Sequence, residues 1–452
     1  MKGIVKRPGV PPLPEGFLES LAPLLLEEAQ GFLQSYEKPY VRGLRLNPLK
    51  APENPFVQYV SGVLQPVPWE KQGYYLEQES LAGAHPLHDA GAYYIQEPSA
   101  MAAVSVLDPK PGETILDLCA APGGKSTQIA GRLGGKGLLV SNEPVYSRAQ
   151  ILSGNLERMG VTNALVTSEL PERLAGRWPG MFDRILVDAP CSGEGMFRRH
   201  PETREAWTCQ SPGGCASRQR DILRSAARML KAGGFLCYST CTFNSVENEG
   251  VVEGFLEEHA DFAPVPFSLF TPEENRALQG YMHLFPHKVL GEGHFVALFQ
   301  KKEEAQKERA LEYKPFLGVD KVSGKAYEAF CAALGEKSFE ATGMFGGQLV
   351  CAQDLPDISG LKVLRAGVHL GRAKGDIFVP DHAFAMAMKP PYEVKTFPLS
   401  LKEAGAYLHG EALPAPDDLL GWVLPTFAGM ALGWGKASGG FVKNHYPKGL
   451  RK

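Results

Sequence analysis

The sequence predicts an α/β fold: a parallel sheet with helices on both faces in the middle of the chain, and smaller domains before and after it. Three observations predict it. Ile115 to Leu118 is a short apolar run bounded by turn residues, as a strand buried on both faces would be. Pro122, Gly123 and Gly124 then force a tight turn, and Lys125 to Leu133 reads as a helix. Beyond it the alternation of strand and helix is regular, with chemically active residues at the strand ends, where an open parallel sheet carries its site.

In chain order, Glu15 to Tyr36 is expected to form an amphipathic helix, because Leu18, Leu21, Leu25 and Phe32 fall near helical spacing. Arg42 to Pro48 mixes arginines with strand-like apolar residues, so it is either a basic edge facing RNA, with Arg45 in contact, or a solvated strand. Pro52 to Pro68 is rich in turn residues and reads as a surface excursion. His85 to Met101 leads into a helix through Val106, with Gln96, Glu97 and Ser99 as a polar cap. Residues 1–95 are therefore expected to form a small N-terminal domain, and 96–302 the core.

Within the core, Leu138 to Glu143 is the second strand, Tyr146 to Met159 a helix, and Ala164 to Thr167 a weaker third strand. Phe182 to Asp188 is the fourth, ending in Ala-Pro-Cys-Ser-Gly-Glu-Gly. A helix over Arg218 to Leu230 stops at Gly233-Gly234, Phe235 to Thr240 is the fifth strand, a helix covers Val246 to His259, and Gly293 to Gln300 closes the sheet. Lys301 to Glu312 is dense in charge and reads as a linker or exposed helix. Two modules are expected after it, 313–374 and 375–452. The tail from Gly433 to Lys452 holds five Lys or Arg and no acid, interleaved with aromatic residues. That pattern suits phosphate contact and base stacking, and it nominates Lys436, Lys443, His445, Lys448 and Arg451 for RNA.

Bulk composition narrows the class. Hydrophobic content of 44% and charged content of 21% are ordinary for a globular chain, and 452 residues suit about three domains. No apolar run approaches the roughly 20 residues needed to cross a bilayer, and the N-terminus lacks a signal-peptide apolar core, so a cytoplasmic protein without a membrane partner is expected. A net charge of −3 announces no global basic field, which leaves nucleic-acid binding to local patches. The eight cysteines contain no Cys-x-x-Cys pair, so neither zinc nor disulfides are expected.

The chemistry follows from the strand ends. Asp117 ends the first core strand and suits a cationic ligand group better than a phosphate, which points from a nicotinamide dinucleotide towards S-adenosylmethionine. Glu143 lies 20 residues after Gly123, where such a fold holds ribose hydroxyls. Asp188 and Cys191 end the fourth strand and Cys241 the fifth, so two thiols would face one crevice; Cys237 within the strand reads as core. A thiolate can add to carbon 6 of a pyrimidine and make carbon 5 nucleophilic enough to take a methyl group. A carboxyl group such as Asp188, either holding a proton or bonding the base edge at nitrogen 3, would stabilise that adduct.

Asp-Leu-Cys-Ala-Ala-Pro-Gly-Gly-Lys at 117–125, Asp-Ala-Pro-Cys-Ser-Gly-Glu-Gly at 188–195 and Tyr-Ser-Thr-Cys-Thr-Phe at 238–243 resemble the RNA 5-methylcytosine methyltransferases. The segments Arg45 to Pro48 and Tyr94 to Pro98 are similar to that family too, and the C-terminal Gly-Trp-Gly-Lys and Lys-Asn-His-Tyr-Pro-Lys-Gly-Leu-Arg resemble its RsmF branch. The resemblance implies a Rossmann-like class I S-adenosylmethionine-dependent core with a PUA-like RNA-binding domain, acting on 16S ribosomal RNA. It implies Cys241 as nucleophile, Cys191 as the residue assisting release, and Asp188 as the base-contacting carboxylate. The cofactor would be held by Cys119, Ala120, Ala121, Pro122, Gly123, Gly124, Lys125, Glu143 and Asp188, and a monomer is expected. Where many relatives have an acid near the adenine, this chain reads Val166-Thr167-Ser168-Glu169-Leu170; Ser168 could hydrogen-bond adenine or Glu169 could turn inward, and neither is assigned. A transfer-RNA substrate and a non-catalytic ribosome-assembly factor are the alternatives. DNA is disfavoured, because DNA enzymes of this chemistry attack with the Pro-Cys thiol and would leave Cys241 without a role.

Overall fold

In the computed structural model, residues 11–50, 55–56, 65–76, 82–270, 276–277, 279–303, 318–335, 339–352 and 355–452 are described. Most of the Pro52–Pro68 excursion and of the Lys301–Glu312 linker lies outside them.

The N-terminal helix is divided. Helix α1 (Phe17–Leu25) passes through a single 3-10 turn at Leu26–Glu28 into α2 (Ala29–Ser35). Pro23 within α1 has no N–H to donate, and Leu26 takes a φ of 45°, so the helical ladder cannot run on unbroken. Of the expected stripe, Leu21, Leu25 and Phe32 are buried against Phe197, Trp207, Phe243 and Phe285 of the core, and Phe17 takes the fully buried place expected for Leu18, which is only partly buried. Strand β1 (Arg42–Leu46) then forms the centre of an antiparallel sheet between β2 (Gly73–Leu76) and β3 (Tyr93–Ile95). Arg45 is not on an outer edge. It is 2% exposed, and its guanidinium donates to Gln96 Oε1 at 3.0 Å, Gly124 O at 2.7 Å and Thr127 Oγ1 at 2.8 Å. A guanidinium this buried, with Nε and Nη2 committed to protein acceptors, is out of reach of a backbone phosphate, so the expectation that Arg45 contacts RNA is corrected: it ties the N-terminal sheet to the glycine turn.

Helices α3 (Pro86–Asp89) and α4 (Ala102–Leu107) lead into the core; of the three expected cap residues Glu97 accepts from the backbone N–H of Ser99 at 2.9 Å and Ala100 at 2.8 Å, Ser99 Oγ donates to Glu97, and Gln96 accepts from Arg45 instead. The core runs β4 (Thr114–Asp117), α5 (Gly124–Leu133), β5 (Leu138–Asn142), α6 (Tyr146–Arg158), β6 (Ala164–Thr167), α7 (Pro171–Arg177), β7 (Phe182–Asp188), α8 (Ser211–Met229), β8 (Leu230–Thr240) and α9 (Glu249–Glu258). Helix α7 escaped the sequence reading; its first residue is Pro171, a residue suited to a helix start. Strands β4 to β8 pair in parallel in the order β6-β5-β4-β7-β8. The chain leaves β4 for β5 on one side and returns to β7 on the other. This reversal opens a crevice at the strands' carboxyl ends. Leu116, Ile185, Val187 and Phe295 fill one face of the sheet, and Ile115, Leu139, Leu186 and Cys237 the other.

Antiparallel strands extend both edges. His294–Lys301 pairs with β8, and Tyr281–Leu284 with His294–Lys301. At the other edge Val363–Ala366, from beyond the core, pairs with β6. This insertion was not foreseen, because four residues of a mixed apolar and charged segment carry no mark of which sheet they join.

The C-terminal part contains helix Lys321–Leu334 and a four-stranded sheet that includes Val368–Lys374 and Ile377–Pro380. Those two strands form a hairpin, so the division expected after residue 374 cuts through one unit. A second sheet includes Thr396–Leu399, Gly421–Phe427, Gly435–Ser438 and Phe441–Asn444. Trp434 and Tyr446, read from the sequence as interleaved aromatic residues of an RNA tail, are core: Trp434 packs on Phe330, Phe384 and Trp422, and Tyr446 on Tyr407. Among the described residues no helix is long and apolar enough to cross a membrane.

Candidate active site

At the crevice, β7 and β8 end side by side, with Asp188 opposite Ser239 in register. Register carries the two thiols past the strand ends together, and Cys191 Sγ lies 3.2 Å from Cys241 Sγ. Both are partly exposed. The Cys191 thiol is pushed well up by its hydrogen bond to Cys241, by burial and by the charge of Glu247, so it keeps its proton beside Cys241.

Asp188 is held from three directions. Lys125 Nζ donates to Oδ2 at 2.7 Å, Ser239 Oγ donates to Oδ1 at 2.8 Å, and His294 Nε2 lies 3.5 Å from Oδ1. Burial opposes the negative charge, but Lys125 and His294 outweigh it and hold the carboxyl far below its usual range. Lys125 answers in kind: burial opposes its charge, and Asp188 more than restores it. Of the two roles open to Asp188, proton holder or acceptor towards the base edge, the site fits the acceptor.

The loops carrying the thiols are cross-tied by groups the sequence reading passed over. Glu247 accepts from Ser192 N at 3.0 Å, Gln219 Nε2 at 2.8 Å and Asn244 Nδ2 at 2.8 Å, and also from Ser192 Oγ. Glu194 accepts from Phe243 N at 2.8 Å, Asn244 N at 3.0 Å and Asn244 Nδ2 at 2.9 Å. Gly195 N donates to Cys241 O at 2.8 Å. The signal for these ties was present in Ser-Gly-Glu-Gly and in Asn-Ser-Val-Glu-Asn, polar residues clustered directly after each cysteine. Their pairing across 50 residues was not legible.

The glycine turn is shaped for close approach. Gly123 has φ 116°, and an added Cβ there would meet Leu152 Cδ1 at 3.2 Å; one on Gly124 would meet Tyr94 Cε1 at 3.3 Å. Beneath the turn Asp117 is fully buried, its carboxyl raised to about 7 by burial. Ser126 Oγ donates to its Oδ2 at 2.6 Å, and its Oδ1 has no partner among the described residues. Glu143, 3% exposed, accepts from Val145 N at 3.0 Å, and Arg148 Nη1 lies 3.3 Å from its Oε2. Cys119, Ala120, Ala121 and Pro122 form the strand-to-turn link, where the Cys119 thiol is pushed up by burial and stays protonated. Both Ser168 and Glu169 are engaged within the protein: Ser168 Oγ donates to Pro144 O at 3.2 Å, and Glu169 Oε1 accepts from Lys362 N at 2.6 Å.

Four family models match in order along the chain. They are described as the N-terminal domain of 16S rRNA methyltransferase RsmF (13–98), 16S rRNA methyltransferase RsmB/F (104–300), the RsmF rRNA methyltransferase first C-terminal domain (329–388) and the methyltransferase RsmF PUA domain (394–452). Ribosomal RNA small subunit methyltransferase F of Salmonella typhi is 33% identical over 444 residues, 93% of this chain and 92% of that protein. This chain belongs to the RsmF family of 16S rRNA methyltransferases.

Solved structures agree. A methyltransferase homologue from Pyrococcus horikoshii is 29% identical with a TM-score of 0.53, covering 64% of this chain and all of that one. NSun6 from the same organism, solved with SFG, an analogue of S-adenosylmethionine, is 22% identical with a TM-score of 0.55, covers 64% of this chain and 99% of that one, and shows the fold. The RsmF-type chain is thus an S-adenosylmethionine-dependent methyltransferase with a class I core. Its glycine turn and the orphan oxygen of Asp117 fit that cofactor: a bare backbone admits it, and a buried carboxylate lacks a positive partner.

Among the remaining nominated residues, Lys436 and Lys443 lie directly opposite each other on the hairpin of Gly435–Ser438 and Phe441–Asn444, both exposed. Lys436 Nζ sits 5.5 Å from the Trp422 ring centre, and the His445 ring packs on Trp422 at 4.5 Å. Lys448 is exposed beyond them, and Arg451 reaches back to Tyr446 O at 3.4 Å.

Proposed function

We propose that this enzyme methylates carbon 5 of a cytosine in 16S ribosomal RNA through a covalent adduct between Cys241 and carbon 6. The observation that carries the reading is the 3.2 Å approach of Cys191 to Cys241 beside an ionised Asp188. Cys241 is the attacking thiol, the position that the Ser-Thr-Cys motif gives the nucleophile, and Cys191 keeps its proton beside it. As the sulfur–carbon 6 bond forms, the carbon 5–carbon 6 π pair shifts away and carbon 5 becomes nucleophilic. Bound S-adenosylmethionine supplies an electrophilic methyl group on its sulfonium. Thiolate addition loads an electron pair onto carbon 5 and nitrogen 3; nitrogen 3 takes up a proton from water, and the N–H formed there donates to the ionised Asp188, which steadies the adduct. Elimination then passes the carbon 5 proton to water, breaks the sulfur–carbon 6 bond and returns Cys241 as thiolate, with Cys191 assisting that release. The base must leave its stack to reach two thiols at the bottom of a crevice.

RNA rather than DNA is the substrate in this reading, because the thiol after Ser-Thr needs a role. The tail supports it as well. Two lysines facing each other across a strand pair repel, and such a pair is relieved by an anion such as a backbone phosphate. Lys448 and Arg451 continue the basic surface, and the enzyme would work in the cytoplasm on small-subunit RNA.

The test is a denaturing-gel shift for a covalent enzyme–RNA adduct, with small-subunit RNA, transfer RNA and cofactor offered to each variant. Cys191→Ala is expected to trap an adduct on small-subunit RNA. Cys241→Ala should form none and lose methyl transfer by roughly 10⁴-fold or more. An adduct that instead requires Cys191 would overturn the assignment of the two thiols, and one formed only on transfer RNA would overturn the substrate.

A further inference from the structure

Most of the cofactor pocket is built by the core itself, but one wall is not. The loop after β6, Ser168 to Leu170, is held from outside by a segment more than 190 residues further on. Val363 pairs with Thr167 at the sheet edge, which sets Lys362 beside Ser168. Ser168 N donates to Lys362 O at 2.9 Å, and Lys362 N donates to Glu169 Oε1 at 2.6 Å. Arg173 lies 3.4 Å from Glu169 Oε2 and also donates to Gly360 O. The other side of the same loop is tied to the cofactor strand, since Glu169 N donates to Asn142 Oδ1 at 3.1 Å and Asn142 Nδ2 donates to Glu169 O at 2.9 Å.

Beside this loop the core leaves apolar side chains open. Val145 and Tyr146 are each 50% exposed and Leu170 is 63% exposed, next to Glu143. Lys362 Nζ stands 5.6 Å from the Tyr146 ring centre, so the C-terminal segment spans the two loops that border these groups. These exposed apolar side chains, one pair following Glu143 and one in the loop that Lys362 holds, are what a flat apolar ring entering beside Glu143 would cover.

We propose that the C-terminal module completes the adenine end of the cofactor pocket, through Lys362 and the Glu169 loop it holds, so that docking of this module sets cofactor affinity. The inference rests on the placement of the cofactor ribose at Glu143. Glu169 acts as a positioning residue: its carboxylate is spent on Lys362 and Arg173, and its role is to keep the loop in place. The module is anchored elsewhere by contacts that touch no part of the pocket. Asp357 Oδ2 pairs with Arg177 at 2.5 Å, and Asp357 O accepts from Arg177 Nε at 3.2 Å and Trp178 Nε1 at 3.3 Å. Arg365 donates to Ser153 Oγ at 3.2 Å and pairs with Glu157. The module also shares its core with the final domain, because Phe330 and Phe384 pack on Trp434. The module is thereby continuous with the domain that carries the Lys436–Lys443 hairpin. A loop that is in place only part of the time weakens binding in proportion, and the coupling is reciprocal.

The experiment is calorimetric titration of the full-length protein with S-adenosylhomocysteine, without RNA, alongside thermal unfolding of each variant. Glu169→Ala and the remote Asp357→Ala should each raise the dissociation constant by roughly ten- to a hundredfold, the scale of one lost charged hydrogen bond. Glu143→Ala should raise it as well, as the reference for the pocket. Cofactor analogue should in turn slow hydrogen exchange across 357–366 in the wild type. Weakening in Glu143→Ala with Glu169→Ala and Asp357→Ala within twofold of wild type would overturn the inference while leaving the pocket in place. Weakening in Glu169→Ala alone would make the effect local to the loop and overturn it too. Should Glu169→Ala fail to fold, Asp357→Ala and the exchange measurement decide in the same way. Unchanged affinity in Glu143→Ala would overturn the ribose placement, and this inference with it.

Discussion

Residues of one type do opposite work in this chain, and burial separates them. Arg45 and Lys443 were both nominated for RNA on their charge and neighbours. Arg45 is enclosed, with three hydrogen bonds to Gln96, Gly124 and Thr127, whereas Lys443 stands exposed opposite Lys436. Arg45→Gln is therefore expected to lower thermal stability while leaving the salt dependence of RNA binding unchanged. Lys443→Gln should leave stability unchanged and reduce the salt slope of binding by about one. Filter binding at several salt concentrations, paired with thermal unfolding, checks both; a reduced slope in Arg45→Gln would refute the clamp. The thiols divide similarly. Cys237 is fully buried in β8, while Cys241, four residues on, is open to the crevice.

Elements place these side chains by register and by close packing of backbone. Asp188 and Ser239 are paired neighbours on parallel strands, which brings residues 51 apart in sequence within hydrogen-bonding reach. The two cysteine loops then meet so tightly that Gly195 has no room for a side chain: a Cβ there would lie 2.9 Å from Cys241 O and 3.0 Å from Gly293 O. Gly195→Ala should cost about 1–3 kcal/mol of stability and lower kcat by pushing the loops apart. Its affinity for S-adenosylhomocysteine should be unchanged, because the cofactor turn lies at β4. Unfolding midpoints and single-turnover methylation read these effects separately, and wild-type kcat in this variant would rule out the tight approach as a catalytic requirement.

At the scale of the molecule, several buried imidazoles make the fold sensitive to acid. His88, His369 and His382 are pushed down from 6.5 to about 3, 4 and 4, by burial in each case, with Arg158, Arg365 and Lys50 among the cations that reinforce it. Their folded values lie below the unfolded one, so as pH falls below about 6.5 the unfolded chain takes up protons first. The stability these groups contribute above that pH is then lost progressively towards pH 4, on the order of 1 kcal/mol per group per pH unit. Asp117, raised to about 7, works in the other direction across this window, as do Glu247 and Asp381, but His85, His294 and His445 are lowered by burial too, so the imidazoles outnumber the acids. Urea midpoints at pH 7.5 and pH 5.0 should show the lower value at pH 5.0; equal midpoints would mean that these histidines are open to solvent.

Periodicity and local motifs carry the core. The strand–turn–helix at 115–133, the strand ends at Asp188 and Thr240, and the two cysteines after them are all legible, because a buried strand and a glycine turn are written in adjacent residues. The motifs also carry the family. What the chain order could not give are contacts made across it: Lys125 with Asp188, Glu247 with Ser192, and Lys362 with Glu169. The same holds for direction. Arg45, Trp434 and Tyr446 read as surface residues from their neighbours and were turned inward by packing partners far away in sequence. Short-range patterns fix which segments become strands and helices, since those are set by nearest-neighbour hydrogen bonds and side-chain spacing. Which buried polar group answers which, and which sheet a four-residue strand joins, was decided only when the tertiary fold brought distant segments together, because a buried charge is stable only beside the partner that the whole fold delivers.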